Sequence, residues 1–496
     1  MRTKPEKHVK FINAKAFCFV LVLIAIVSST CFGQSITWQR TYDGVDHLSD
    51  GSFGVCKADG NNIYVAGYTT FLPNRTYIYV VKLNPFGDTI WSRTMSIGTN
   101  GGEVANAIVA DNTGNCVITG DAGSPFSIKF DLNGNIIWKK MYGGGFKQCY
   151  SIIMTSDGGY IACGRDAGCA TDCAYILKID SNGNLQWQQT YSTLYSKYFY
   201  SISETNDFSG YITTGFDYAG ATDTAKGYIM KVNHTGTLIW EKNILIEQGT
   251  NIKSIIKHNN GYLIGGGSFN SSLNMTRLFF GKLNELGDTS KVKIFETNSN
   301  EYFGDFKKIN DNKFVIASSK DSTTILNGHI FTIDSLGSII SSKLYMTKDV
   351  MHLDYSLPLS NGDIIFGGMV DFDPMQTRED IYVLRTDSML SAPPPIGINN
   401  LNKIIPDNFR LRQNYPNPFN PSTTIEYDVF KNSNIKLILF NSNGRIIGIL
   451  ENSIKSPGLY RYELNAARLN LASGIYFVKL ESDNSFNQSL KIILIK

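Results

Sequence analysis

"YVVKLNPFGDTIW" (79–91), "FSIKFDLNGNIIW" (126–138), "YILKIDSNGNLQW" (175–187) and "YIMKVNHTGTLIW" (228–240) are four versions of one segment. Each holds an alternating apolar run, an Asp or Asn, a glycine-centred turn, and a second run that carries tryptophan. "FFGKLNELGDTSK" (279–291) and "IFTIDSLGSIIS" (330–341) continue the series without the tryptophan, and "IYVLRTDSML" (381–390) opens a seventh copy that stops before its turn. One column reads Lys82, Lys129, Lys178, Lys231, Lys282, Thr332, Arg385, in steps of 47 to 53 residues.

Half a period earlier lies a second marker: "ADGNNIYVAG" (58–67), "DNTGNCVITG" (111–120), "SDGGYIACG" (156–164), "NDFSGYITTG" (206–215), "HNNGYLIGGG" (258–267), "NDNKFVIASS" (310–319) and "SNGDIIFGG" (360–368). Asp/Asn-Gly between alternating apolar runs signals a hairpin, because tight turns need a positive φ that glycine and asparagine tolerate. Two hairpins make four short strands per copy, and four strands per period near fifty is the pattern of a β-propeller blade. The fold expected is all-β, a seven-bladed β-propeller at 34–391. The last copy lacks its final strand, while "SITWQRTYDG" (35–44) reads as a final strand without predecessors. Supplying it from the chain start closes the ring and removes two sheet edges that would template aggregation. An open solenoid is the structural alternative.

All five tryptophans, Trp38, Trp91, Trp138, Trp187 and Trp240, share one column, four residues after the turn glycine where a turn precedes. They read either as sugar platforms or as indoles packed between blades. Packing is the expectation, since a repeated position usually has a repeated structural role. This turn-glycine and tryptophan spacing resembles the repeats of quinoprotein-type propellers, but without quinone-site residues, so no cofactor is expected.

Residues 1–33 are set apart. A basic stretch precedes the 12-residue apolar core "AFCFVLVLIAIV" and the small residues of "SSTCFGQ", the pattern of a secretory signal peptide ending at Gly33. Its removal turns a side-chain charge of +3 into −1, and with it goes any charge argument for a nucleic-acid partner. Cys31 offers a lipid-modified terminus as the alternative. No later apolar run reaches the roughly 20 residues of a spanning helix, so no transmembrane span is expected in the mature chain.

No chemistry-bearing motif stands out. The Asp-x-Asn-Gly-Asn pattern at 131–135 and its relative at 180–184 are explained by hairpin turns rather than calcium, and no metal site is expected. Four of the six cysteines after the leader cluster at Cys149, Cys163, Cys169 and Cys173. In an exported chain Cys163, Cys169 and Cys173 are disulfide candidates, the Cys169–Cys173 region foremost, with a zinc site as the alternative. The remaining histidines are scattered. No catalytic residue is assigned, and a non-catalytic role is the expectation. The ligand expected is a glycan or a protein; the alternative is a polysaccharide hydrolase or lyase with its site on the face of the variable loops near 68–77, 165–175 and 268–278.

Half of the 14 prolines fall between Pro393 and Pro421. "APPP" (392–395) reads as a stiff spacer within a linker spanning 392–407. After it, "NYPNPFNPSTTIEYDV" reads as a rigid lead into a strand, with amide-free positions that avoid edge pairing. About seven short strands over 408–496 suggest a small Ig-like β-sandwich.

That segment resembles the type A C-terminal sorting domain of the type IX secretion system of Bacteroidetes and related bacteria. The matching residues are Asn414, Tyr415, Pro416, Asn417, Pro418, Phe419, Asn420 and Pro421, then Gly444 in "LFNSNGR", Gly474 and Tyr476 in "SGIYFVKL", and Lys491 and Lys496 in the final "KIILIK". The resemblance implies passage through the periplasm, the type IX machinery as partner, and release or a place on the outer cell surface. Domains of this family are commonly removed afterwards, often with attachment of the protein to surface lipopolysaccharide.

Overall fold

The computed structural model describes residues 36–495 apart from 43–48, 72–74, 99–101, 193–195, 219–224, 323–324, 346–350, 374–377, 394–408, 430–432, 456–457 and 483–486. The expected leader at 1–33, most of the linker, and Lys496 therefore lie outside the described residues. The chain divides into two compact units, Met1–Pro395 and Ile396–Lys496.

The first unit holds seven antiparallel four-stranded sheets. Sheet one runs Asp50–Lys57, Ile63–Phe71, Arg75–Leu83, Thr89–Met95, with each strand beside its sequence neighbour, and sheets two to six repeat that order. The seventh takes its outermost strand, Trp38–Tyr42, from the chain start, paired with Arg378–Thr386. Each sheet packs on the next, and the first strand of sheet one packs on the seventh sheet. Apolar side chains from neighbouring sheets share cores, such as Trp91 with Phe130 between sheets one and two, and Trp38 and Val383 with Val65 and Val81 between seven and one.

Three repeated columns have local causes. The first is the turn. At 131–135 the Asp131 carboxylate accepts the amides of Asn133 and Asn135, both at 2.8 Å, and Gly134 takes a φ of 77°. Both bonds go to one oxygen, Oδ1, so the side chain closes the turn on itself. The seventh copy has this turn too, which corrects the sequence expectation. Asp387 accepts the amides of Met389 and Ser391, and Leu390 stands in the glycine place with a φ of 61°. The copy stops after its turn, not before.

The second column is the lysine. Lys129 and Lys178 reach Asp111 and Asp157 in their own second-marker turns, each at 2.8 Å, Lys82 likewise pairs with Asp59, and Arg385 meets Asp363 at 2.8 Å. Each pair ties a third strand to the hairpin joining the first two. Thr332, which breaks the column, instead shares a hydrogen bond of 2.7 Å with Ser341.

The third column is the tryptophan. The indole N–H groups of Trp38, Trp91, Trp138 and Trp187 donate to the carbonyls of Pro85, Leu132, Ser181 and His234, each in the next copy's turn. A Cβ on the turn glycines Gly87, Gly134, Gly183, Gly236 or Gly287 would come within 2.4–3.0 Å of the facing indole, Trp240 completing the series. Tyr42, Tyr142 and Tyr191, four residues on and so on the same strand face, donate to the carbonyls of those glycines. Between sheets six and seven the pair is exchanged: Ser341 holds the tryptophan register position, and the glycine place is filled by the fully buried Leu390. Trp38 and Trp91 are buried; the other three indoles are half-buried.

In the second unit, a three-stranded sheet (Arg410–Leu411, Ser422–Val429, Gly458–Asn465) and a four-stranded sheet (Ser433–Asn441, Ile446–Lys455, Gly474–Ser482, Asn487–Leu494) enclose one core around Ile425, Tyr427, Leu437, Val478 and Ile492.

Candidate functional site

The innermost strand of every sheet carries a β-bulge at one repeated position. The residues skipped by the pairing register are Phe53, Asn106, Tyr150, Tyr200, Lys253, Gly304 and Asp354. A bulge turns the extra residue out of the ladder and brings its neighbours' backbone close to the partner strand. This accounts for the glycine that ends the second marker. A Cβ on Gly67, Gly120, Gly164, Gly215, Gly266 or Gly368 would lie 1.7–2.0 Å from a carbonyl oxygen of the bulged strand.

All seven skipped residues line one cavity of about 660 Å³, within the range of small-ligand sites. Its walls differ. Sheets three and four contribute Tyr150 and Tyr200, whose rings lie 5.9 Å apart and 24° from parallel. Sheets five to seven contribute Lys253, Asp305, Lys307, His352 and Asp354. Asp305 is buried and satisfied, accepting from the Ser356 amide at 2.9 Å, the Ser356 hydroxyl at 3.0 Å and Lys307 at 3.1 Å. Lys253 has its ammonium 4.1 Å from the centre of the Tyr200 ring, a cation–π contact. Burial pulls its pKa down against the pull of Asp354, and burial pushes the Asp354 carboxyl up against His352 and Lys253. The arrangement can stack a ring on one wall and offer a cation and a carboxylate on the other. Of the variable loops expected to form the site, 165–175 and 268–278 are described throughout and 68–77 apart from 72–74, and none of their described residues lines this cavity.

The cysteines separate. Cys169 and Cys173 form a disulfide. Cys163 does not join them: it is a free, buried thiol in the strand Tyr160–Asp166, packed in the core between sheets three and four, as Cys149 is between two and three. Position decides this, because Cys163 sits in mid-strand with both faces of the strand covered by neighbouring sheets, while Cys169 and Cys173 flank a loop.

The proline-rich run of the second unit does not stand free of pairing, as its missing amides suggested. Phe419 is buried, donates its amide to Ile493 (2.9 Å) and accepts from Ile495 (3.0 Å). The Asn417 side chain accepts from the Ile493 amide at 2.8 Å and donates to the Lys491 carbonyl at 3.3 Å. Asn414, buried, donates to the Pro416 carbonyl and the Thr423 hydroxyl. Tyr415 is exposed but bridges through its backbone to Thr424, and the Pro421 carbonyl accepts from Ala466. The peptide bonds preceding Pro416, Pro418 and Pro421 are cis. Gly444 closes a turn of the kind found in the repeats, with a φ of 75°. Tyr476 donates to the Ala472 carbonyl at 2.8 Å, one strand residue beyond Gly474 and Ile475. The two ends of the sequence motif thus meet in one hydrogen-bonded patch.

Among solved structures, the chain is similar to a protein of unknown function from Bacteroides caccae (12% identity, covering 60% of this chain and 94% of that one, TM-score 0.37). It is also similar to Sqt1 from Chaetomium thermophilum (10%, 71% and 99%, TM-score 0.39) and to the β-propeller domain of the Trilobed protease from Pyrococcus furiosus (10%, 72% and 99%, TM-score 0.42). No curated protein matches the chain. The family model described as "Secretion system C-terminal sorting domain" matches residues 413–496. That span begins one residue before Asn414 and includes the strand against which the proline run is tied; it is the C-terminal sorting domain of the type IX secretion system.

Proposed function

We propose that this protein is a cargo of the type IX secretion system whose seven sheets are the blades of a seven-bladed β-propeller, acting as a binding module at the outer cell surface or after release. The sorting domain supports the export route. The proposed division is a leader at 1–33, the propeller at 34–391, a linker at 392–407, and an Ig-like sorting sandwich at 408–496, with surface lipopolysaccharide as an attachment point. The observation that carries the binding role is the single cavity into which every sheet turns one skipped residue, with no shared chemistry among the seven. Packing columns repeat; a column of Phe, Asn, Tyr, Tyr, Lys, Gly and Asp is free to vary with a ligand.

A polysaccharide hydrolase or lyase is the second reading, favoured by two carboxyls in the same cavity with opposed environments. Asp305 is fully hydrogen-bonded, while burial raises the Asp354 pKa, a division that acid–base pairs use. A glycan and peptide array probed with the purified protein tests the binding role; ligands lost in a Tyr200→Ala variant support it, and an array without ligands overturns it. Release of reducing ends from a bound polysaccharide, abolished by Asp354→Asn, would replace binding by catalysis.

A further inference from the structure

We infer that the cavity receives a hexuronate residue of an acidic saccharide, with the sugar ring on the Tyr150–Tyr200 wall and its carboxylate on the Lys253 ammonium. This rests on the binding reading above and specifies its ligand.

Three observations converge. First, the cation is available. Lys307, also in the cavity, is occupied by Asp305 at 3.1 Å, whereas Lys253, among the described residues, has the Tyr200 ring as its contact and neither a hydrogen bond nor an ion pair. The charge of Asp354 acts on it without an ion pair at contact distance, and a half-buried ammonium in that position gains from a closer anionic partner in a ligand. Second, the ring surface beside it is preformed. Tyr200 has Tyr150 and Phe216 as near-parallel neighbours, at 5.9 and 6.0 Å and within 24° of parallel to each, which fixes its orientation, and Tyr150, whose ring neighbour among the described residues is Tyr200, lines the cavity beside it. A pyranose presents C–H groups to such a face. Third, Asp354 stands in the same cavity without a hydrogen bond or ion pair among the described residues. A carboxylate is an acceptor for two sugar hydroxyls at once. The cation, the flat apolar surface and the hydroxyl acceptor are the three features a uronic acid needs together. A neutral sugar leaves Lys253 unused, and a simple carboxylic acid leaves the ring surface and Asp354 unused. A free amino acid could engage Lys253 and Asp354 but not the paired tyrosines, so it is an outcome of the test.

Full-length protein is titrated calorimetrically with tri-galacturonate, with the neutral trisaccharide of galactose, and with glycine. The expectation is that the acidic trisaccharide binds, that Lys253→Met weakens it about tenfold or more, that Lys253→Arg retains most of the affinity, and that added salt weakens the complex. The neutral sugar should bind at least about tenfold more weakly, with no further loss in Lys253→Met. Circular dichroism establishes that each variant is folded; if Lys253→Met is not, Lys253→Arg and the salt dependence of the unaltered protein decide. Equal affinity for both trisaccharides, unchanged by the lysine variants, overturns the uronate assignment and leaves the binding role standing. Binding of glycine alone likewise overturns it. Binding of none of the three, while the array yields another ligand sensitive to Tyr200→Ala, overturns it too; an empty array removes the binding role as well.

Discussion

Trp38 and Arg385 sit directly opposite each other in antiparallel register, although one opens the first described strand and the other lies in the last strand of the first unit. In every other copy the same two columns pair within one continuous segment, as Lys82 does with Trp91 and Lys178 with Trp187. The chain start has taken the place of the strand the seventh copy lacks. Arg385 also holds the buried Asp363 through two nitrogens, at 2.8 and 3.1 Å, and donates to the Pro85 carbonyl of the first copy.

Arg385→Ala should therefore destabilise the first unit strongly, by about 3–5 kcal/mol, because it leaves Asp363 charged and buried without its partner. Equilibrium urea unfolding checks this. Arg385→Lys should recover part of the loss, since one ammonium replaces a fork.

The tryptophan column predicts a graded series. Trp91→Ala removes a buried ring that packs against Tyr64 and Phe130 and should cost about 3–5 kcal/mol. Trp138 is half-buried, so Trp138→Ala should cost less, about 1–3 kcal/mol. Equal costs would show that exposure does not govern these positions.

The bulge glycines should be intolerant of any side chain. Gly120→Ala places a Cβ 1.9 Å from the Val104 carbonyl oxygen, so the strand must shift, at a cost of about 2 kcal/mol or more. Gly144→Ala meets nothing within 4 Å and should change stability by less than about 0.5 kcal/mol. Thermal unfolding of the two variants separates them.

Asp157 sets an acid limb. Burial works against its charge, but the hydrogen bond from Lys178, with those from Thr155 and the Gly159 amide, brings its pKa down to about 2. A carboxyl with a depressed folded value stabilises above its unfolded value, about 3.9, and that contribution is lost as pH falls towards 2. Asp157→Asn should lower stability at pH 6 and flatten its decline between pH 4 and 2, measured by denaturant midpoints across that range.

For export, a chain ending at Asp407 should remain in the periplasm. Within the full chain, Asn417→Ala removes the side chain that joins the proline run to Ile493 and Lys491. It should reduce surface delivery while leaving periplasmic levels intact or higher, scored by protease accessibility on whole cells. Undiminished delivery of the truncated chain would refute the sorting role.

What could be read from the sequence follows a physical division. The lysine, tryptophan and turn columns were visible because each performs the same packing task in copy after copy, so one residue type recurs. Their partners were not: nothing in a string of letters says that Lys178 meets Asp157, or that Trp138 covers Gly183 of the following copy. The cavity was hidden for the opposite reason. Tyr200 and Lys253 occupy equivalent positions, but the side chains line the shared cavity, where no repeated packing task makes them alike. The alternation in "KYFYS" (197–201) was the available signal, since it puts Tyr198 and Tyr200 on the face opposite Phe199. Leu390 misled because a turn is expected to show glycine, and here the buried side chain takes space that an indole fills elsewhere.

The borrowed strand has a consequence in time. Trp38–Tyr42 precedes every other described strand, and its partner Arg378–Thr386 is made only after six complete sheets. Until then the newborn chain carries an unsatisfied edge at each end of the array, and no local contact can hasten their meeting. Closure of the array thus waits for the strand Arg378–Thr386, and a product shortened before it keeps open edges that are sticky rather than merely incomplete.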